Sequence, residues 1–411
     1  MPHVHFANWL TLRRTRIHAF LLAVGVWTAF FVNLHTPGLR DHGGQIKGAD
    51  FLHFYTLGML AREGRGDLLY NISAQTDLLQ KIVPEAHHYV YLPLYGPQVS
   101  LFFYPLAQLP YTYALAIWLS LNLLIYSGCC YAVWKHCLNL AQHGWTVLLV
   151  AIAFPGISQL LTWGQISGLA LLFFTLAYLA LRKKQNFLAG IAIGCLIFKP
   201  QLGLAAAVVF IFTKQWKVVG GAILSAFIQL AIGWLHYGTA AMRDYLEALI
   251  STRQIMALLE PRPYQTHSLR TFWAMIIPWP GVALVLYAAS AIVILVLLVR
   301  CWKNGIELNI KFGVLLVATV LVSPHLTVYD LIILAPSFLL LVDWTLAHPA
   351  ENQSSHLQLL IYSCFILFLL GPVVRIVHTQ FSVLAMTAMV VIAYRLCGHS
   401  LNAASNQPIP A

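Results

Sequence analysis

Apolar runs separated by short polar breaks make up most of this chain. A membrane-crossing helix needs about 20 mostly apolar residues, within a range of about 17–25. Runs of that kind occupy 17–34, 112–134, 146–162, 165–181, 217–236, 281–301, 328–346, 357–374 and 379–396. The pieces 92–108, 187–198, 201–213 and 311–323 are shorter or interrupted. The pattern predicts an all-α, polytopic membrane helix bundle with about 10–13 transmembrane helices. One domain is expected over 1–398, followed by a disordered tail at 399–411.

The polar breaks set an expected orientation. Arg13, Arg14 and Arg16 precede the first run, and Arg182 to Lys184, Lys214, Lys217, Arg300, Lys303 and Arg395 fall at later breaks. Basic residues mark the cytoplasmic side, so the N-terminus is expected inside, with 35–90, 238–280, 323–330 and about 375–378 outside. The first run has no small-residue cleavage site after it and reads as a membrane helix rather than a signal peptide. Parity leaves one apolar segment too many between 35–90 and Arg182, and 92–108 is the first suspect for a re-entrant piece. Lys199-Pro200 divides 187–213 into two short legs, because proline breaks a helix interior. Helical spacing at 50–62 and, after the cap candidate Ser73, at 73–83 predicts two interfacial amphipathic helices in the first outer loop. A third is expected around 241–259, before the Pro-rich stretch 260–264.

Composition agrees with a lipid solvent. Of 411 residues, 60% are hydrophobic and 9% charged, against about 25% charged in soluble chains. The net charge of +11 lies in clusters between apolar runs, which suits the positive-inside pattern better than nucleic acid. The seven cysteines form no CxxC pair and read as small apolar fillers.

Candidate chemistry gathers on the outer side. Asp50 opens a predicted amphipathic helix, either as a simple cap or as a carboxylate kept ionised by the helix terminus, suited to act as a general base. His325 and Asp330 flank a proline-broken boundary, where polar groups at membrane depth line cavities or are satisfied in place. Lys199, between two apolar legs, either snorkels or clamps a phosphate. In the second outer loop His267 and Arg270, with Arg262, offer donors to a phosphate or a lipid head group. Gln165 and Ser167 suit either a sugar or helix–helix hydrogen bonds.

At this point the chain resembles the GT-C fold glycosyltransferases of family 87, the polyprenyl-phosphate-mannose-dependent mannosyltransferases. The resemblance rests on Gly48-Ala49-Asp50-Phe51 with Tyr55, Leu69-Tyr70-Asn71, Tyr91-Leu92-Pro93-Leu94-Tyr95-Gly96 and Pro105-Leu106-Ala107-Gln108-Leu109-Pro110. It continues through Gly164-Gln165-Ile166-Ser167, Lys199-Pro200, Ser323-Pro324-His325 and Tyr329-Asp330. Asn71 stands where the family often has Asp, and Gln265-Thr266-His267-Ser268 where it often has an Asn-rich motif.

The resemblance implies a GT-C-like transmembrane glycosyltransferase that inverts the sugar carbon. Asp50 would be the general base. Lys199, His325, Asp330, Gln165, His267, Arg270 and Tyr55 would attend the donor's phosphate and sugar. No metal or other cofactor is implied, and no Asp-x-Asp pair is present. The expected partners are a polyprenyl-phosphate sugar, a glycolipid or glycan acceptor and membrane lipids, with no nucleic acid. The expected location is the cell inner (plasma) membrane, multi-pass. Two rivals stand: a lipid or small-molecule transporter or flippase, which would tend to show internal repeats and midplane polar groups, and a polymerase or ligase with an Arg-rich outer loop.

Overall fold

The computed structural model describes residues 11–251, 262–349 and 352–405. Its elements are helices, and among the described residues the strand-like pairings are isolated bridges, Arg40 with Ile46 and Thr266 with Thr327. Lipid selects this architecture, since a helix satisfies its backbone hydrogen bonds within one segment.

In chain order, α1 (Leu12–Leu34) is followed by the loop helices α2 (Ala49–Arg62), α3 (Ile72–Ile82) and the six-residue α4 (Gln98–Phe103). Next comes α5 (Tyr111–Trp134), then α6 (Gly144–Ala153) and α7 (Pro155–Trp163), whose path bends by 42° at Phe154-Pro155. The short helices α8 (Ser167–Arg182), α9 (Asn186–Gly194) and α10 (Pro200–Phe212) lead to α11 (Trp216–Ser251), which turns at Gly238 (φ 82°). After α12 (Leu269–Ile276) come α13 (Pro280–Lys303) and α14 (Leu308–Val322). The 3-10 turn Val328–Ile333 then enters α15 (Leu334–Ala347). The chain closes with α16 (Asn352–Leu367), α17 (Gly371–Val377) and α18 (Phe381–Ser405).

Among the described residues, five helical segments are long and apolar enough to cross a membrane alone: α1, α5, α11, α13 and Val328–Ala347. The bent pairs α6–α7 and α16–α17 can each complete one more path, and five shorter apolar helices of 10–17 residues fill the remainder. The peripheral helices expose their apolar faces, as at Leu124, Val285 and Leu235, the last 86% exposed. Lipid is the solvent those faces fit. The centre is α14, buried at almost every position from Phe312 to Val322.

Several expectations change in detail. The segment 92–108, the first suspect for an incomplete crossing, is indeed not a full span: Pro93, Pro97 and Pro105 leave irregular chain, α4 and a 3-10 turn. The run 357–374 breaks before Pro372, and its path bends by 89°. Helix α2 does not lie flat with one wet face; from Phe51 to Ala61 nearly every residue is buried. Asn71, not Ser73, caps α3, accepting from the Ala74 N–H at 3.0 Å. Asn71 therefore does the work of the family's more usual Asp. The backbone of α18 runs on to Ser405, past the expected tail boundary at 399, and 406–411 lie outside the described residues. The expected third amphipathic helix is present as the end of α11 to Ser251; its remainder, 252–259, lies outside them.

Two left-handed glycines bring the start of α2 against the end of α7. Gly48 caps α2 at φ 66°, and Gly164 ends α7 at φ 65°. A Cβ on Gly164 would meet Phe51 Cβ at 2.8 Å and Gly48 Cα at 3.3 Å. Gly164→Ala is therefore expected to lower stability by about 2 kcal/mol from backbone strain alone, and further from the clash. Gly203→Ala, in α10 with nothing within 4 Å of its Cβ, should be neutral or stabilising by up to about 1 kcal/mol. Thermal unfolding of the two variants in detergent checks the contrast.

Candidate active site

The contact between the two glycines sets the position of one carboxylate. Asp50 stands in the first turn of α2, behind the cap residue Gly48, whose N–H donates to Thr162 O at 3.3 Å. It is thus not itself the cap, and its carboxylate remains free to accept other bonds. Gln165, the residue after Gly164, donates Nε2 to Asp50 Oδ2 at 2.9 Å. The amide is oriented because its Oε1 accepts the Ile166 N–H at 2.8 Å. Trp118 Nε1 buttresses the corner by donating to Gly164 O at 2.8 Å. Tyr91 donates to Ala49 O and Tyr111 to Lys47 O, fixing the approach to Asp50.

A second carboxylate lies beside the first. Asp330 Oδ1 accepts from Lys199 Nζ at 2.7 Å and from Ser167 Oγ at 2.5 Å, and Lys199 also donates to Ser167 Oγ at 3.0 Å. The other oxygen, Oδ2, accepts the Thr327 N–H at 3.2 Å and closes a capping box on the 3-10 turn Val328–Ile333. Lys199 and Asp330 are 5% and 2% exposed. Burial of such a pair is tolerable only when the partner atoms are satisfied, and here the hydroxyl, the backbone donor and the opposite charge satisfy them. Tyr329 stands between the two halves: its ring lies 4.9 Å from Lys199 Nζ, and its side chain contributes to lowering the Asp50 carboxyl.

Asp50 lies deep in the protein and is half-buried as a whole residue. Loss of water raises its carboxyl to about 6, against the lowering pull of Lys199, Gln165 and Tyr329 and with a further rise from Asp330. At neutral pH it is mostly ionised while still basic, the condition that suits proton abstraction from a hydroxyl.

The structure brings together Asp50, Gln165, Lys199 and Asp330. Lys199 is not a cation waiting for a phosphate; its partner is Asp330. Asp330 turns toward Lys199, Ser167 and Thr327. His325 and Arg270 belong to two segments joined next to Asp330: Arg270 Nη1 donates to Pro324 O at 3.1 Å, and Thr266 bridges Thr327. Arg262 lies 5.4 Å from the Trp163 ring, two residues before Gln165. His325, Arg270 and Arg262 are all half-buried.

Two expected residues do not join the site. His267 is 2% exposed, bonds Ser382 Oγ at 2.7 Å and packs on Phe368; burial pushes its imidazole down to about 3, so it is a neutral core group. Tyr55 donates to Leu109 O at 2.7 Å inside the aromatic cluster of Phe51 and Tyr111. Helical spacing from Asp50 does not separate Tyr55 from the site, because α2 is buried on both sides. Tyr329 is the residue that the sequence does not assign a role; its one signal is adjacency to Asp330. Among the described residues, no group of three or more His, Cys, Asp or Glu side chains converges as a metal site would.

Fold and site define an α-helical, multi-pass membrane protein with a carboxylate held at one end of its bundle beside a buried ion pair. The family model for glycosyltransferase family 87 matches residues 94–324, more than half of the chain, and the chain belongs to that family. It is a membrane glycosyltransferase, which sets aside the transporter reading. The matched region holds Gln165, Lys199 and Arg270 but starts after Asp50 and ends before His325 and Asp330. No curated protein and no solved structure matches the chain.

Removing one member of a buried ion pair costs about 3–5 kcal/mol, because the other charge stays behind unpaired. Lys199→Met is expected to lose stability on that scale, and adding Asp330→Asn should restore most of it. Thermal unfolding of the single and double variants measures the recovery.

Proposed function

We propose that this enzyme transfers a hexose, mannose in the first instance, from a polyprenyl-phosphate donor to a hydroxyl of a glycolipid or glycan acceptor. The reaction takes place on the non-cytoplasmic side of the inner membrane, with the N-terminus in the cytoplasm. The acceptor oxygen bonds to the anomeric carbon, and the bond from that carbon to the phosphate oxygen breaks. The hydroxyl proton passes to Asp50, and polyprenyl phosphate leaves as a monoester. Attack opposite the leaving group inverts the anomeric centre.

The observation that carries this reading is the Asp50 carboxylate, raised to about 6 and oriented by Gln165 in the first turn of α2. Lys199 acts as a positioning residue: it holds Asp330, lies over the Tyr329 ring and bears on Asp50 through its charge. The developing phosphate charge falls to the half-buried cations on the neighbouring segments, Arg270 and Arg262 with His325, since donors aimed at growing charge stabilise the transition state. The basic clusters at Arg13 to Arg16 and Arg182 to Lys184 lie at the opposite end of α1 and α8 from Asp50 and Ser167, which supports an extracytoplasmic site.

Asp50→Asn is expected to abolish transfer from polyprenyl-phosphate mannose to membrane glycolipid. A folded variant with normal turnover would remove Asp50 from the mechanism. The pH profile follows from the raised carboxyl. The base works only when ionised, so kcat/KM should fall about tenfold per unit as pH drops below about 6. Stability has the opposite sign. A carboxyl whose folded value lies above its unfolded one stabilises the fold when protonated, and that contribution is lost as pH rises through about 6. Asp50→Asn should therefore unfold no earlier than the parent at pH 7.5. A panel of polyprenyl-phosphate sugars, assayed with purified protein, identifies the donor.

A further inference from the structure

At the end of the bundle opposite Asp50, α1 and α6 run side by side in the same direction: Arg16 Nε donates to Thr146 Oγ1 at 2.8 Å near both helix starts, and Trp27 Nε1 to Ile152 O at 2.9 Å further along. Behind them, against α5, α15 and α16, is a cavity of about 380 Å³. That volume is within the range of small-molecule pockets, about 300–1,000 Å³. Its wall is mostly apolar, and its inner end is formed by Phe154 packed on Phe338 and Phe365. Its other end lies at the helix termini, where Leu12 begins α1, His143 precedes α6 and Leu346 nearly ends α15. Polar groups collect at this mouth: His143, Thr146 carrying Arg16, and His18, which bonds Tyr362 of α16 at 3.0 Å. Arg13 and Arg14 share the first turns of α1, and among the described residues no carboxylate lines the cavity.

We propose that this cavity binds one anionic phospholipid, with an acyl chain in the apolar interior and the phosphate at Arg16 and His143. Charge and shape agree on the occupant: a greasy slot closed at depth and cationic at the level of the helix ends matches a lipid of that leaflet. Basic pockets between membrane helices recognise anionic head groups in this way. The flanking side chains Phe20 and Leu21 of α1 are exposed, so the slot lies beside a lipid-facing surface. Helix α1 buries only Ala19 and Ala23 fully, and the bound chain would extend its contact to α15 and α16. The far end of α1 is tied to the loop before Asp50, where Asn33 Nδ2 donates to Asp41 Oδ2 at 2.9 Å. The lipid thus anchors the helix that leads into the active-site loop, whatever sugar the enzyme transfers.

The test uses full-length protein in phosphatidylcholine nanodiscs with phosphatidylglycerol carrying a photoactivatable group in mid-chain, and mass spectrometry of the labelled peptides. Labelling is expected on Leu22, Phe338 and Phe365, with competition by unlabelled phosphatidylglycerol. Labelling confined to outward residues such as Phe20 and Leu124, or equal competition by phosphatidylcholine or by polyprenyl phosphate, overturns the assignment. Ala335→Phe fills the slot and should abolish the inner labels. Arg16→Glu changes an exposed side chain and leaves the core intact; it should lower the preference for phosphatidylglycerol over phosphatidylcholine by about fivefold or more. An unchanged preference in Arg16→Glu also overturns the proposal.

Discussion

A single buried ammonium beside two carboxylates governs the working end of this molecule. Lys199 neutralises Asp330 at 2.7 Å, and its charge also acts on Asp50. In a protein with so few charges, no solvent shell is available to absorb a mistake: each ion must meet an opposite charge or a set of donors. Asp330 meets Lys199, Ser167 and Thr327, and is fully engaged. Asp50 receives less: one amide and a share of the same ammonium. Asp330 is locked among its partners, while loss of water raises the Asp50 carboxyl to about 6.

The interruptions of the helices serve this arrangement. An unbroken transmembrane helix presents only side chains to its surroundings, and its backbone is closed off. Here Pro155, Pro200 and Pro324 sit at helix ends or breaks. The break at Pro200 delivers Lys199, and the one after Pro324 leads into the capping box of Asp330. The loop helix α2, buried although it spans no membrane, then brings Asp50 against these broken ends. The site is a meeting of helix termini, where free N–H groups and dipoles are available.

Membership of glycosyltransferase family 87 fixes the class of reaction. Two groups of charges stand at this end of the bundle. The Lys199–Asp330 pair is neutral as a unit. The segments joined by the Thr266–Thr327 bridge carry Arg262, Arg270 and His325.

Hydropathy and composition settled the solvent, the all-helical architecture and most helix positions. Hydrophobic length and the lack of charge follow directly from the cost of exposing backbone or ions to hydrocarbon. The sequence also marked Asp50 at the start of a loop helix, and Gln165, Lys199 and Asp330 at breaks between apolar runs. It left the partner of Lys199 open between a phosphate and the interface, and it included His267 and Tyr55, since partners far apart in the chain decide whether a polar side chain is satisfied. Ser167, Lys199 and Asp330 come from three separate helical breaks, as His267 and Ser382 come from two. Which carboxylate pairs with Lys199 and which takes the Gln165 amide was settled by the packing, because that depends on distances between segments that no local pattern encodes.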